Sequence, residues 1–372
     1  MSDQASVYLN QAGTSWPKPA AVQDAAAAVL EADPNDWPAQ FESARRSVAD
    51  FLHIPDATRL LLTPGGTSAL AVAVADHAWL PGDRVLTSGL EHHALHRPLW
   101  KLAEWGVELT VLPRTEHEPI VLEALEKQLA AGRVRLVAVT AASNVTGEFT
   151  PLDEVVRLAH AAGALVLVDA AQTVGWWDID VPALGADLVA FAGHKALHAP
   201  WGIGGLYVAE GVAMNSPAAS CEVPHGEAPN CAQMPAYCDT GSVDRVALAA
   251  LTAAAEWLAA AQRRDRLATA QQQAERLWTT AASLPGVTLY GPRDPKSRLP
   301  IVSFTVRGRR VAEVAAALGD RGVFAAAGLQ CAPLAHQTLG TEAEGVVRLS
   351  VGAMNTEADI DRAVAAIEAT LA

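Results

Sequence analysis

A lysine and an aspartate that lie 26 residues apart, each at the end of an apolar run, suit chemistry on a bound group. Lys195 follows a glycine and a histidine after an apolar run, and Asp169 ends the apolar run 164–169. A lysine amine can form a Schiff base with an aldehyde, and a carboxylate can keep a pyridine nitrogen protonated. Pyridoxal phosphate requires both groups. An arbitrary pair of this kind is more often a loop lysine and a helix-capping aspartate, so the surrounding residues must decide.

Residues that could bind the phosphate and the ring of such a cofactor follow predicted strands. Gly66 and Thr67 join a strand to a helix, where free N–H groups and the helix dipole suit a phosphate, although any tight strand-to-helix turn looks similar. His92 follows the second strand and could stack on a flat ring or move protons. Asn144 and Gln172 follow the third and fourth strands, and they could donate hydrogen bonds to a ring oxygen or simply cap loops.

Three more side chains could act on the cofactor or on a substrate. His194 could bind phosphate, and a cation beside Lys195 would lower the pKa of its amine. Arg348 lies in an apolar strand, where burial is costly unless the guanidinium binds an anion such as an α-carboxylate; a strand-edge arginine facing water is the alternative. Cys331 lies in a loop, where a thiolate could attack sulfur, although a free cysteine is more often inert.

The composition limits the classes of protein that this chain can belong to. Its 372 residues, 51% of them hydrophobic, are enough for two domains or for one large α/β domain with an appendage. The net charge of −14 argues against a nucleic-acid partner, because phosphate binding needs a basic face. No apolar run reaches the roughly 18 residues of a membrane span. The first residues lack a signal-peptide pattern, so we expect a cytoplasmic protein.

Three cysteines and a histidine in the stretch 213–239 could form a zinc site. These residues are Cys221, His225, Cys231 and Cys238. The segment has no Cys-x-x-Cys pair, which structural zinc sites usually contain. We therefore expect free thiols in a long loop and no bound metal.

Strand-like runs alternate with helical patterns along most of the chain. Strands are predicted at 59–63, 84–87, 134–140, 164–168, 188–191 and 204–208, with a helix at 151–162 capped by Thr150. Runs buried on both faces and joined by helices indicate a mainly parallel sheet, and ligands bind at the carboxyl ends of such strands. The later strands 300–306 and 346–351, with helices 310–322 and 356–371, predict a smaller α+β domain.

Together these segments resemble the aminotransferase class V family, in particular its cysteine desulfurase and selenocysteine lyase branch. The resemblance covers nearly the whole chain and is carried by the segments 8–19, 63–67, 91–92, 143–147, 168–172, 193–195, 328–336 and 347–356. It implies the α/β fold type I of pyridoxal-phosphate-dependent transferases, which is aspartate aminotransferase-like. We expect an N-terminal segment (1–25) associated with the small domain and the active site, a large cofactor-binding domain (26–284) and a small C-terminal domain (285–372).

The resemblance also implies roles for individual residues. The implied catalytic residues are Lys195, His92 and Cys331, the last as a persulfide carrier. The implied cofactor-binding residues are Gly66, Thr67, His92, Asn144, Asp169, Gln172, His194, Lys195 and Ser242, and the implied substrate-binding residues are Ala12, Gly13, Asn144 and Arg348. The family implies a homodimer in which Ser242 matches a hydroxyl that a partner subunit offers to the phosphate.

Several positions depart from the family pattern, and they cluster around the expected pocket. Ala192 stands where the family has a phosphate-binding serine, Ser68 replaces a usual acidic residue, and Ala326 replaces an arginine common in desulfurases. Asn10, Gln11 and Gly13 in the opening segment and the loop 213–239 differ as well.

Four functions therefore remain open. The first is cleavage of the C–S or C–Se bond of L-cysteine or a close derivative, with a sulfur-acceptor protein as partner. The second is β-elimination from a cysteine S-conjugate, which would release pyruvate and ammonia without Cys331. The third is a class V aminotransferase or an epimerase of the same fold, and the fourth is a non-catalytic cofactor-binding protein that acts as a sulfur-relay scaffold or regulator.

Overall fold

The computed structural model describes residues 6–116, 118–176, 180–212, 214, 244–260 and 263–371. Its helices are α1 (Ala20–Val29), α2 (Trp37–Phe51), α3 (Gly66–Ala75), α4 (His93–Lys101), α5 (Leu122–Ala130), α6 (Leu152–Ala161), α7 (Arg245–Ala260), α8 (Arg263–Ala282), α9 (Val311–Gly319), α10 (Pro333–Leu339) and α11 (Glu357–Leu371). Its strands are β1 (Val7–Tyr8), β2 (Leu60–Thr63), β3 (Arg84–Thr87), β4 (Glu108–Val111), β5 (Val134–Thr140), β6 (Leu165–Asp169), β7 (Leu188–Ala192), β8 (Gly204–Val208), β9 (Val287–Tyr290), β10 (Ile301–Val306), β11 (Val323–Phe324), β12 (Ala326–Gly328) and β13 (Val346–Ser350).

Seven strands form a large sheet in the order β2-β8-β7-β6-β5-β3-β4. The strands from β3 to β7 pair in parallel, and β8 runs antiparallel to both of its neighbours. Valine and leucine dominate its central strands β5 and β6, as expected of a parallel sheet that is covered on both faces. The predicted mainly parallel α/β sheet is therefore confirmed.

Helices cover both faces of this sheet because side chains alternate along each strand. On β2, Leu60 and Leu62 pack into one core, whereas Leu61 packs into the core on the other face. Buried residues of α1, α2, α5, α6 and α7 belong to the first core, and those of α3 and α4 belong to the second. Because the helices pack on the two faces of the sheet, the carboxyl ends of its strands are left open and carry loops.

A second, antiparallel sheet has the order β12-β13-β10-β9, and its own core includes apolar residues of α8, α9 and α11. The N-terminal segment joins this unit: β1 pairs in parallel with β11, and Asn10 forms a bridge with Ser350. The domain boundaries given above stay predictions. Because α8 packs into the second core, that helix lies with the smaller unit rather than with the large sheet.

One predicted helix start is wrong. The helix predicted at 151–162 begins at Leu152, and Pro151 rather than Thr150 takes the cap position. The Thr150 hydroxyl donates to the carbonyl of Thr140 at 2.6 Å, so it is engaged with the neighbouring strand. In the part of the chain that the structure describes, no helix combines the length and apolar character of a membrane span.

Candidate active site

A cavity of about 500 Å³ lies at the carboxyl ends of the strands, between the large sheet and the second unit. The residues predicted from the sequence that line it are Ala12, Gly13, Gly66, Thr67, His92, Asn144, Asp169, His194, Lys195, Cys331 and Arg348. Gln172 lies just behind this wall, where its amide donates to the carbonyl of Ala12 at 3.1 Å. Ser242 and the cysteines of the loop 213–239 lie outside the described residues.

Lys195 presents an amine that has no hydrogen bond or ion pair with any described residue. Burial lowers the pKa of this amine, and the positive charge of Arg348 lowers it further, while Asp169 opposes the shift. A lowered pKa increases the share of neutral amine, which is the form that attacks an aldehyde. The side chain is therefore suited to a covalent link with a bound carbonyl group.

Asp169 ends β6 and points its buried carboxyl group toward the same cavity. Its Oδ1 accepts a hydrogen bond from the backbone N–H of Ala171 at 2.9 Å. Burial raises the pKa of Asp169, and the nearby charge of Lys195 opposes that shift. Because the carboxylate is desolvated, a protonated ring nitrogen placed beside it would stabilise its ionised form.

The turn between β2 and α3 forms the wall of the cavity that suits a phosphate. Gly65, with φ +152°, holds the N-cap position, and a Cβ there would meet no atom within 4 Å. The backbone N–H groups of Gly66, Thr67 and Ser68 lie in the first turn of this ten-residue helix, where intrahelical partners are lacking. A Cβ on Gly66 would lie 3.2 Å from the Ala192 methyl group, a tight contact that glycine avoids.

His92 is a neutral imidazole with a defined tautomer. Its Nδ1 accepts the backbone N–H of Ala94 at 3.0 Å and so caps α4. Burial, with a contribution from the charge of Lys195, lowers the pKa of His92 to about 4. The ring proton therefore resides on Nε2.

His194 is neutral for a similar reason, which changes how it can serve a phosphate. Burial and the charges of Lys195 and Lys18 lower the pKa of His194 to about 4. Its buried Nδ1 has no partner among the described residues. A neutral ring with an unpartnered nitrogen can exchange one hydrogen bond with a bound group, but it cannot supply a full positive charge.

Arg348 is almost fully buried and is held by neutral groups. Its guanidinium donates to the carbonyl of Asn144 at 2.8 Å and to the Asn10 Oδ1 at 2.6 Å, while its buried Nε has no partner among the described residues. Burial lowers the pKa of Arg348 to about 10. Because a buried cation without a carboxylate partner is costly, this arrangement is suited to a carboxylate that arrives with a ligand.

Cys331 is an exposed free thiol on the cavity wall. Both Gln330 and Cys331 have positive φ angles, of 42° and 58°, in the region that non-glycine residues seldom adopt. Two hydrogen bonds hold this loop: Asn144 Nδ2 donates to the Gln330 carbonyl at 2.8 Å, and the His93 N–H donates to the Cys331 carbonyl at 2.7 Å. The strained backbone is thus tied to Asn144 on the cavity wall and to His93 at the start of α4.

The structure places further residues in or beside the site that the sequence did not predict, among them Asn10, Trp201 and Glu91. Asn10 was seen only as a departure from the family pattern, yet it lines the cavity and contacts Arg348. Trp201 lines the cavity while remaining 66% exposed. Glu91 is fully buried one residue before His92, and it accepts hydrogen bonds from the Ser88 hydroxyl and from the Thr140 N–H. Its position next to His92 was the available signal.

The residues present fit pyridoxal phosphate. A helix N-terminus with free N–H groups faces one part of the cavity, and a free amine and a buried carboxylate face another. The buried Nδ1 of His194 and the buried Nε of Arg348 have no partner among the described residues, which leaves two polar groups that a bound ligand could satisfy.

Comparison with known proteins agrees with this geometry. The family model for aminotransferase class-V matches residues 7–363. A probable cysteine desulfurase of Pseudomonas aeruginosa is 34% identical over 98% of this chain and 93% of its own, and a cysteine desulfurase of Yersinia pestis is 32% identical over 88% and 82%. The solved structure of the cysteine desulfurase CsdA from Escherichia coli has a TM-score of 0.87 at 27% identity, covering 98% of this chain and 94% of its own.

The confirmed fold, the fit of the cavity and the family match lead to one assignment. This chain belongs to the aminotransferase class-V family of pyridoxal-phosphate-dependent enzymes, and within it the chain is similar to the cysteine desulfurases.

Proposed function

We propose that this enzyme cleaves the C–S or C–Se bond of L-cysteine or a close derivative and that Cys331 accepts the sulfur. One observation carries the proposal: the free amine of Lys195, the partly unpartnered guanidinium of Arg348 and the thiol of Cys331 line the same cavity. A base, an α-carboxylate site and a sulfur nucleophile are what such a reaction needs. The names of the relatives, which are cysteine desulfurases, support the same activity.

The bound cofactor would supply an electron-accepting ring conjugated to the α-carbon of the substrate. Asp169 would keep the ring nitrogen protonated, and His92 would stack on the ring. Arg348 would bind the α-carboxylate, and Lys195 would remove the α-proton. The Cys331 sulfur would attack the substrate sulfur as the C–S bond breaks, so that Cys331 keeps the sulfur as a persulfide and alanine leaves.

The second candidate is β-elimination from a cysteine S-conjugate. The small side chains of Ala326 and Ala327 on the cavity wall, at and beside a position where desulfurases often carry an arginine, favour this reaction because they leave space next to Cys331. This reaction would release pyruvate and would not need the thiol.

Product analysis tests the two candidates directly. The full-length protein loaded with cofactor is incubated with L-cysteine or an S-alkyl cysteine, and alanine and pyruvate are quantified by mass spectrometry. The proposal expects alanine from L-cysteine, a persulfide on Cys331, and loss of alanine release in C331S but not in the control C238S. Pyruvate release at an unchanged rate in C331S would support elimination instead, and no product from any substrate would support a non-catalytic scaffold.

The same proposal includes a cytoplasmic homodimer that passes sulfur to an acceptor protein, without a metal or a nucleic-acid partner. Family membership supports the dimer and the acceptor. In this dimer, Ser242 of one subunit would serve the phosphate bound by the other.

A further inference from the structure

The backbone carbonyl of His194, in the residue just before Lys195, accepts an unusual number of hydrogen bonds. Four donors lie on its oxygen: the Thr14 hydroxyl at 3.0 Å, the Ser15 N–H at 2.9 Å, the Ser15 hydroxyl at 3.2 Å and the Lys18 ammonium at 3.1 Å. A carbonyl oxygen has two lone pairs, so four donors exceed its ordinary capacity. All four come from the N-terminal segment, which is remote in sequence.

Lys18 is the most costly of these donors. Its ammonium contacts only neutral acceptors, the Ser15 hydroxyl at 2.8 Å and the His194 carbonyl, and it has no ion pair with any described residue. Burial lowers the pKa of Lys18 to about 8. Lys18 is half-buried, so its ammonium loses part of its hydration without gaining an ion pair, and this contact adds little to the stability of the fold.

The N-terminal segment that carries these donors is held by one hydrogen bond within itself and by contacts with two other parts of the chain. The Tyr8 hydroxyl donates to the Thr14 carbonyl at 3.1 Å, and the Ala12 N–H donates to the Ser350 hydroxyl at 2.9 Å. Gln172, beside the cavity, donates to the Ala12 carbonyl. The donors on His194 are therefore anchored to the rigid frame of both sheets.

We propose that Lys18, assisted by Thr14 and Ser15, is a positioning residue that fixes the peptide plane between His194 and Lys195. That plane contains the Lys195 backbone nitrogen, so its orientation sets the direction in which the Lys195 side chain enters the cavity. A charge-assisted hydrogen bond holds the carbonyl more firmly than a neutral donor would. The positive charge of Lys18 also helps to keep the rings of His194 and His198 neutral. The inference rests on the proposed role of Lys195.

The test compares K18M and K18R with the control K127M, which removes an exposed lysine on α5. The holoenzyme is used throughout. Three quantities are measured: the visible absorbance band of the cofactor joined to Lys195 and its pH titration, kcat and KM for L-cysteine, and the Tm.

We expect kcat of K18M to fall about 10- to 100-fold, which corresponds to the loss of one hydrogen bond to a charged group. The KM of K18M for L-cysteine should stay within about threefold of the wild-type value. The apparent pKa at which the visible band of K18M titrates should differ from that of the wild type by about half a unit or more. K18R should recover most of kcat and of the band titration, and K127M should match the wild type. T14V, which removes one neutral donor, should show smaller changes in the same direction, and it decides the question if K18M does not fold.

A K18M enzyme with the wild-type visible band and kcat would overturn the inference. A K18M enzyme whose Tm falls while the pH titration of its band is unchanged would do the same. So would a K18R enzyme that is as impaired as K18M. A wild type that carries the cofactor on Lys195 but releases no alanine would contradict the desulfurase proposal alone. In that case the band titration of K18M still decides the role of Lys18.

Discussion

Asn10 gives Arg348 a neutral partner, and we expect this neutrality to matter for substrate binding. N10D keeps the size of the side chain but places a carboxylate where Oδ1 now accepts from the guanidinium at 2.6 Å. That carboxylate would compete with the α-carboxylate of the substrate. KM for L-cysteine should rise about 10- to 100-fold, with a smaller change in kcat. Steady-state alanine release measures both KM and kcat. An unchanged KM would show that Arg348 does not bind the substrate carboxylate, or that a carboxylate at position 10 does not compete for Arg348.

Glu91 should make the stability of the protein depend on pH in an identifiable window. Burial raises the pKa of Glu91 from its ordinary value near 4.5 to about 8, although hydrogen bonds from Ser88 and Thr140 oppose the shift. Because the folded-state pKa is raised, the contribution of this group is complete below about pH 4.5 and is lost as the pH rises through about 8.

E91Q cannot ionise, so its stability relative to the wild type should improve over that window. We expect the difference in the free energy of unfolding to change by about 2–4 kcal/mol in favour of E91Q between pH 5.5 and 8.5. Urea unfolding at the two pH values measures it. The exposed control E123Q on α5 should show no such trend, and a parallel pH profile for E91Q and the wild type would contradict the buried neutral acid.

At the scale of elements, the strand-to-helix turn before α3 should control cofactor affinity through its backbone. G65A adds a methyl group that meets no atom within 4 Å, so its cost comes only from the positive φ angle. The backbone would relieve this strain of about 1–2 kcal/mol by shifting the first turn of α3 and its N–H groups, so we expect cofactor affinity to fall about tenfold. G132A is the matched control, since it also has a positive φ and open space but lies at the end of α5, away from the cavity. Equilibrium dialysis of both variants measures the effect; equal affinities for the cofactor would count against this turn as the phosphate site.

The elements that the sequence predicted well are those with long buried runs. The six strands predicted for the large sheet are all present, because runs such as 134–140 are too apolar to lie on a surface. The two-residue strands β1 and β11 carry too short a pattern to be recognised. Asn10 and Lys18 were missed as site residues because their partners, Arg348 and the His194 carbonyl, are far away in sequence, and only the tertiary structure brings them together.

For the molecule as a whole, we predict a homodimer whose cofactor sites need both subunits. Sedimentation equilibrium of the holoenzyme should give about twice the 38.9 kDa of one chain. S242A should weaken cofactor binding, because the proposal assigns its hydroxyl to the phosphate of the neighbouring subunit. A monomer that holds the cofactor as tightly as the wild-type preparation would contradict this assembly.

The attachment of the cofactor to Lys195 is the claim on which the other assignments depend. The protein is loaded with pyridoxal phosphate and reduced with borohydride, and its peptides are mapped by mass spectrometry. We predict a pyridoxyl group on Lys195 and no label in the corresponding peptide of K195A. A label on a different lysine in the wild type, or no label at all, would contradict the assignment of the active site.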